Sequence, residues 1–284
     1  MPRANRYFLP GHIWHITHRC HKQEYLLKFS RDRACWINWL FEAKKRYRLS
    51  VLNYIVTSNH IHLLVRDQGR GEISQSMQLI AGRVAQAYNR RKKRKGAFWE
   101  DRYHATAIEG GEHLAQCLVY IDLNMVRAGV VQHPADWPHA GFAEMRQQRE
   151  RYRILDQDAL NSLLGFDTEL EMIATRVAWI AEAVDDRAVC EGRNPQLSES
   201  LAVGTEDFVS MIKNELGNAG RTRKVWSSDK GFVLNEEETP YVSNFTSRMG
   251  LLRDVSQEVL AVYLVTSVSC LGPTPRRAVS SASC

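Results

Sequence analysis

Residues 50–65, SVLNYIV-TSN-HIHLLV, leave the chain little choice of conformation. Two short runs rich in β-branched and apolar side chains flank three polar residues, the pattern of two strands joined in a hairpin. Side chains alternate across a strand, so His60, His62 and Leu64 share one face and Ile61, Leu63 and Val65 the other. The second set can bury against helices. The first places two imidazoles on a rigid surface, where together they can hold one divalent ion and leave positions open for a phosphate oxygen.

The flanking segments supply partners for that hairpin. PGHIWHITHRC (10–20) alternates Ile13 and His15 with Trp14 and Ile16, a strand after a Pro-Gly turn. In 31–47, Cys35, Trp36, Trp39, Leu40 and Ala43 fall at helical spacing, and from about 72 to 90 Ile73, Met77, Ile80, Val84 and Tyr88 do the same. The bases RRKKRK (90–95) and the aromatic-rich FWEDRYH (98–104) lead to a further strand near Ala105–Ile108. A third helix covers roughly 112–128 and stops at Gly129, before the turn-rich DWPHAGF (136–142). The order predicts an α+β layer, a mainly antiparallel sheet with helices on one face.

Beyond this the signals weaken. Residues 168–184 and 205–216 read as helices, 217–224 as an exposed basic loop, and 259–271 as an apolar, β-branched run before a Pro/Ser-rich end. We therefore expect a catalytic domain over residues 1–150 and a mainly helical extension over 151–284.

Charge separates the two parts. Residues 1–165 carry 26 Lys and Arg against 15 Asp and Glu, and the remainder 12 against 17. A basic first part suggests a polyanionic partner. With 44% hydrophobic residues the chain can bury a real core. No run approaches the roughly 18–20 apolar residues of a membrane span, and MPRANRYF has no apolar signal core, so a cytoplasmic protein is expected. The six cysteines form no CxxC pair, which argues against a zinc ribbon or a disulfide framework.

The third helix carries two stripes. Leu114, Leu118, Ile121 and Met125 form an apolar one, and His113, Gln116, Tyr120, Asn124 and Arg127 a polar one. Tyr120 and Asn124, one turn apart, reach toward the same point. A phenol with an ordinary pKa near 10 is a poor nucleophile at neutral pH; an adjacent cation, Arg127 or a metal, would activate it and polarise a phosphate. Each feature alone has a plainer account: two partly exposed strand histidines, a tyrosine at a helix–sheet boundary, a surface amide, a solvated basic loop.

Taken in order, PGHIWHITHRC, SNHIHLLV, FWEDRYHATAI, YIDLNMVRAGVV and DWPHAGF resemble the REP-associated tyrosine transposases, relatives of the small insertion-sequence transposases with one catalytic tyrosine. The resemblance spans about residues 1–145. It implies the ferredoxin-like, RRM-like HUH nuclease fold, with His60 and His62 as the metal-binding pair and Tyr120 as the nucleophile. It also implies that Asn124 completes a site for Mg²⁺ or Mn²⁺. Met125 stands where many relatives have proline, and better-known relatives use glutamine where this chain has Asn124. In such enzymes the tyrosine attacks single-stranded DNA, leaving a 5′-phosphotyrosine and a free 3′-hydroxyl that can later rejoin strands. Hairpin-containing single-stranded DNA is the implied partner, with Arg90, Arg91, Lys92, Lys93, Arg94, Lys95, Trp99, Arg102 and Arg127 as candidate contacts. Phe98 and Tyr103 could join Trp99 in stacking on bases. Monomer and homodimer are both compatible with the sequence. The competing functions are a non-catalytic single-stranded DNA- or RNA-binding module and a hydrolase of small phosphate esters.

Overall fold

A computed structural model describes residues 9–147, 151–185, 194–228 and 231–236. The run at 259–271, the Pro/Ser-rich end and Cys190, Cys270 and Cys284 lie outside the described residues. Cys20, Cys35 and Cys117 are free thiols.

The hairpin of 50–65 forms as its alternation predicts, from β2 (Ser50–Val56) and β3 (His60–Arg66). β1 (Ile13–Arg19) pairs antiparallel with β3 on one side and with β4 (His104–Ile108) on the other. In this register His15 lies opposite Leu64 and Thr106, and Thr17 opposite His62 and His104. Period-two alternation then gives the sheet two unlike faces. Trp14, Ile16, Ile61, Leu63 and Val65 point to one, where α1 (Ser30–Tyr47) and α2 (Glu72–Lys92) cover them with Trp36, Leu40, Ile73, Met77, Ile80 and Val84.

The α+β architecture is the expected one, with a difference in its layers: the helices occupy both faces. The second face is apolar along much of its length through Ile13, Ile55, Leu64 and Ile108, and burying that surface draws α3 (Glu112–Asp122) onto it through Leu114, Cys117, Leu118 and Ile121. This places α3 on the side that carries His15, His60 and His62. The helix expected to run unbroken to residue 128 instead ends at Asp122. Leu123, with ψ at 0°, separates it from the single turn α4 (Asn124–Arg127).

Residues beyond 150 join the same sheet. After α5 (Gly141–Gln147), α6 (Gln157–Leu164), α7 (Glu169–Asp185) and the short α8 (Gln196–Glu199), β5 (Ala202–Gly204) pairs parallel to β4. Following α9 (Glu206–Glu215), β6 (Arg223–Ser228) and β7 (Gly231–Glu236) complete the strand order β2-β3-β1-β4-β5-β7-β6. The boundary expected near residue 150 is thus no break in the sheet, and the extension contributes strands as well as helices. The segment expected as a basic loop is a 3₁₀ turn over Gly217–Gly220 followed by β6, whose Arg223 is buried. Among the described residues no helix is long and apolar enough to cross a membrane.

The DWPHAGF segment seals the end of β2. Trp137 Nε1 donates to the Val56 carbonyl, and Val56 N–H to that of His139. Gly141 has no room for a side chain: a Cβ there would meet Asn53 Oδ1 at 2.4 Å and Tyr54 N at 3.3 Å. Gly141→Ala should therefore cost about 1–3 kcal/mol by forcing buried neighbours apart, measurable as a lower denaturation midpoint with unchanged slope.

Burial and the nearby Arg33 guanidinium lower the His139 pKa from 6.5 to about 4. The unfolded chain then takes up a proton near pH 6.5 that the folded one refuses until about pH 4. His139 thus contributes a loss of stability as pH falls through that window. Urea unfolding at about pH 7, 5.5 and 4.5 should show this slope, and His139→Gln should flatten part of it.

Candidate active site

Local packing determines where Tyr120 stands. The apolar stripe of α3 is anchored in the core, and at its end Asp122 is clamped with no exposed side-chain surface. Arg176 of α7 donates to Asp122 Oδ2 through Nε at 2.9 Å and to Oδ1 through an η nitrogen at 2.8 Å, and Asn53 Nδ2 adds a third bond at 2.9 Å. Burial pushes the Asp122 carboxyl up, with Arg176 opposing it. The polar stripe divides: His113 pairs with Glu109 and Gln116 with Glu112, whereas Tyr120, Asn124 and Arg127 turn to a common cleft. Arg127 donates to the Tyr120 carbonyl and lays its guanidinium carbon 4.3 Å from the Tyr120 ring centre.

The strand histidines stand beneath the tyrosine. Ring centres of His60 and His62 are 5.0 Å apart, and the Tyr120 ring is 5.9 Å from that of His62 with the planes 87° apart. His62 is buried; burial first, then the neighbouring His60, His15, Arg127 and Arg19, push its pKa well below 6.5. It is therefore neutral and free of proton competition near pH 7. The cleft holds about 430 Å³ and is lined by Thr17, Arg19, Asn59, His60, His62, Tyr120, Asn124, Arg127 and Ser198, among others. Arg19 and Arg127 give it positive charge, suited to a phosphate. A second hollow of about 600 Å³ shares Tyr120 and Arg127 as a wall and has Phe166 and Trp179 of the extension on its far side.

A divalent cation has suitable donors here. Among the described residues no three His, Cys, Asp or Glu side chains are arranged to hold one metal ion between them. The available set is two imidazoles and the Asn124 amide, whose Nδ2 lies 3.0 Å from His62 Nε2. Turned over, that amide would present its oxygen beside the same nitrogen. Two nitrogens and a carbonyl oxygen suit Mn²⁺ and, with water, Mg²⁺.

The candidate nucleic-acid contacts fall elsewhere, apart from Arg127. Arg90, Lys92, Lys93 and Lys95 are exposed at the end of α2. Arg91 pairs with Asp32, and Arg94 with Glu24 at 3.7 Å. Arg102 is exposed just before β4. Trp99 stacks on His18 with ring centres 4.1 Å apart and donates to the Ala81 carbonyl. Phe98 and Tyr103 are core residues, 2% and 3% exposed, so the stacking expected of them is excluded by burial. Sequence reasoning missed His15, Arg19 and Ser198. His15 had a signal, a histidine on the strand face that also carries Ile13; Ser198 had none.

Residues 11–124 match the family model described as "Transposase IS200 like". No curated protein matches the chain. Among solved structures the chain is similar to a REP-associated tyrosine transposase bound to a REP hairpin, at 20% identity and a TM-score of 0.46, covering 52% of this chain and 87% of that one. It is also similar to a candidate transposase from Deinococcus radiodurans R1, at 14% identity and a TM-score of 0.30, covering 39% and 87%.

Proposed function

We propose, from the premise that residues 11–124 are an IS200-like transposase domain, that this chain cuts and rejoins single-stranded DNA through a covalent bond to Tyr120. One observation carries this reading. α3 brings Tyr120, and the following turn α4 brings Asn124 and Arg127, over the His60/His62 face in a cleft edged by arginines. A nucleophile, a pair of donors for a divalent cation and a positive surround on three separate elements are what strand transfer at a phosphodiester requires.

In the proposed reaction the Tyr120 hydroxyl oxygen bonds to the scissile phosphorus and the bond from phosphorus to the 3′-oxygen breaks. The phenolic proton is lost, and the departing 3′-oxygen gains one. The product is a 5′-phosphotyrosine with a free 3′-hydroxyl, which can attack the adduct in the reverse sense. Arg127, over the Tyr120 ring, positions the nucleophile and offers charge to the phosphate. His60, His62 and Asn124 would hold Mg²⁺ or Mn²⁺, which supplies positive charge to the phosphate oxygens. The exposed bases at 90–95, with Trp99 and Arg102, are proposed to track the strand outside the cleft. Residues 1–150 carry the chemistry and 151–236 support it. A hairpin-containing single strand is the proposed substrate.

The test uses palindromic oligonucleotides from the flanks of the gene, labelled at either end, with Mg²⁺, Mn²⁺ or chelator, resolved on a denaturing protein gel. A metal-dependent covalent band carrying only the 3′-side fragment is expected. Tight single-strand binding with no adduct under any metal would point instead to a binding module.

A further inference from the structure

The hydrogen bonds around His62 all run one way. His15, with no exposed surface, directs Nδ1 to the Leu197 carbonyl, and its Nε2 lies 2.9 Å from His62 Nδ1. A carbonyl only accepts, so the His15 proton sits on Nδ1 and its Nε2 carries a lone pair. His62 must then donate from Nδ1, which leaves its own Nε2 bare, facing the Asn124 amide 3.0 Å away. The two imidazole planes lie within 16° of each other with centres 5.0 Å apart, an arrangement that allows an in-plane N–H···N bond. A doubly protonated ring at either position would be a charge buried without solvent.

We propose that the Leu197 carbonyl, acting through His15, fixes the tautomer of His62, so that His15 is a positioning residue of the metal centre and the segment around α8 is part of that centre. The inference rests on the reading above, in which His62 holds the cation. A ligating imidazole needs one bare nitrogen and a partner that orients the other. His60 finds its partners beside it, Asn59 Oδ1 at 2.8 Å and Thr57 Oγ1 at 3.0 Å from its Nδ1. His62 takes its orientation from the extension. The segment just after Leu197 is tied into the sheet: Thr106 Oγ1 donates to the Ser200 carbonyl at 2.6 Å, Ala107 N–H to that of Leu201 at 2.8 Å, and Leu201 N–H to that of Leu234 at 2.8 Å. β1 and α8 thus supply the bonds that set the His62 proton, and β4 and β7 anchor the chain that follows α8.

The full chain labelled with ¹⁵N-histidine, free of metal, reports by NMR which His62 nitrogen carries the proton; Nδ1 is expected. Mn²⁺ titration followed by electron paramagnetic resonance should show affinity about 10–100-fold weaker in His15→Phe. In His15→Gln, where an amide can donate to Leu197 and accept from His62, most of it should return. A proton on His62 Nε2 in the unsubstituted protein overturns the proposal whatever the variants do. So does unchanged Mn²⁺ affinity in folded His15→Phe. Should His62→Ala bind Mn²⁺ as tightly as the parent, the cation assignment fails instead, and the NMR result still judges the tautomer by itself.

Discussion

Replacing Arg176 with alanine is expected to lower the unfolding free energy by about 3–5 kcal/mol. Neither Arg176 nor its partner Asp122 has exposed side-chain surface, and the guanidinium supplies two of the three bonds to that carboxylate. Without it, Asp122 keeps only Asn53, and a buried charge with one neutral donor is costly. Burial already raises the Asp122 pKa; losing the guanidinium would raise it further. An acid whose folded pKa exceeds its unfolded one is disfavoured once ionised, so the deficit should shrink as pH falls and Asp122 takes up a proton. The double replacement Arg176→Met with Asp122→Leu should recover most of the loss, because apolar groups of similar size remove the unpaired charge. Urea denaturation of the parent and the two variants decides the matter, and a loss under about 1 kcal/mol in Arg176→Ala would mean the pair contributes little beyond packing.

The largest effect on activity should come from Tyr120→Phe. Strand cleavage is expected to fall by at least about 10⁴-fold, while binding of the same oligonucleotide stays unchanged. The substitution removes one hydroxyl and keeps the ring, so the contact with the Arg127 guanidinium and the edge-on approach to His62 persist. Loss of cutting with retained binding would therefore locate the effect in the bond-forming atom. A covalent adduct in the phenylalanine variant would disprove the assignment of the nucleophile.

The fold and the site differed in how much the residues disclosed. Strong alternation announced β1 and the β2–β3 hairpin, because half-buried strands must sort their side chains by face. The polar stripe of the helix expected over about 112–128 disclosed Tyr120, Asn124 and Arg127 together, and these are the members that meet in the cleft. The third helix was expected unbroken, since nothing local says that Asp122 will be held by Arg176, more than fifty residues later. The short strands β5 to β7 escaped notice for a related reason. Three- to six-residue strands with mixed polarity acquire their conformation from the partner edge. The Leu197 carbonyl was beyond reach altogether, because every residue has one and only the fold chooses which to use.

The pairing of β5 with β4 bears on how the protein can be handled. A chain cut after residue 150 would strip β5 from β4 and turn a paired interior strand into a bare margin. Its freed N–H and C=O groups would then be a template for strands of other molecules. Shortening this protein to residues 1–150 should raise its tendency to aggregate, a change that light scattering beside the full chain would register.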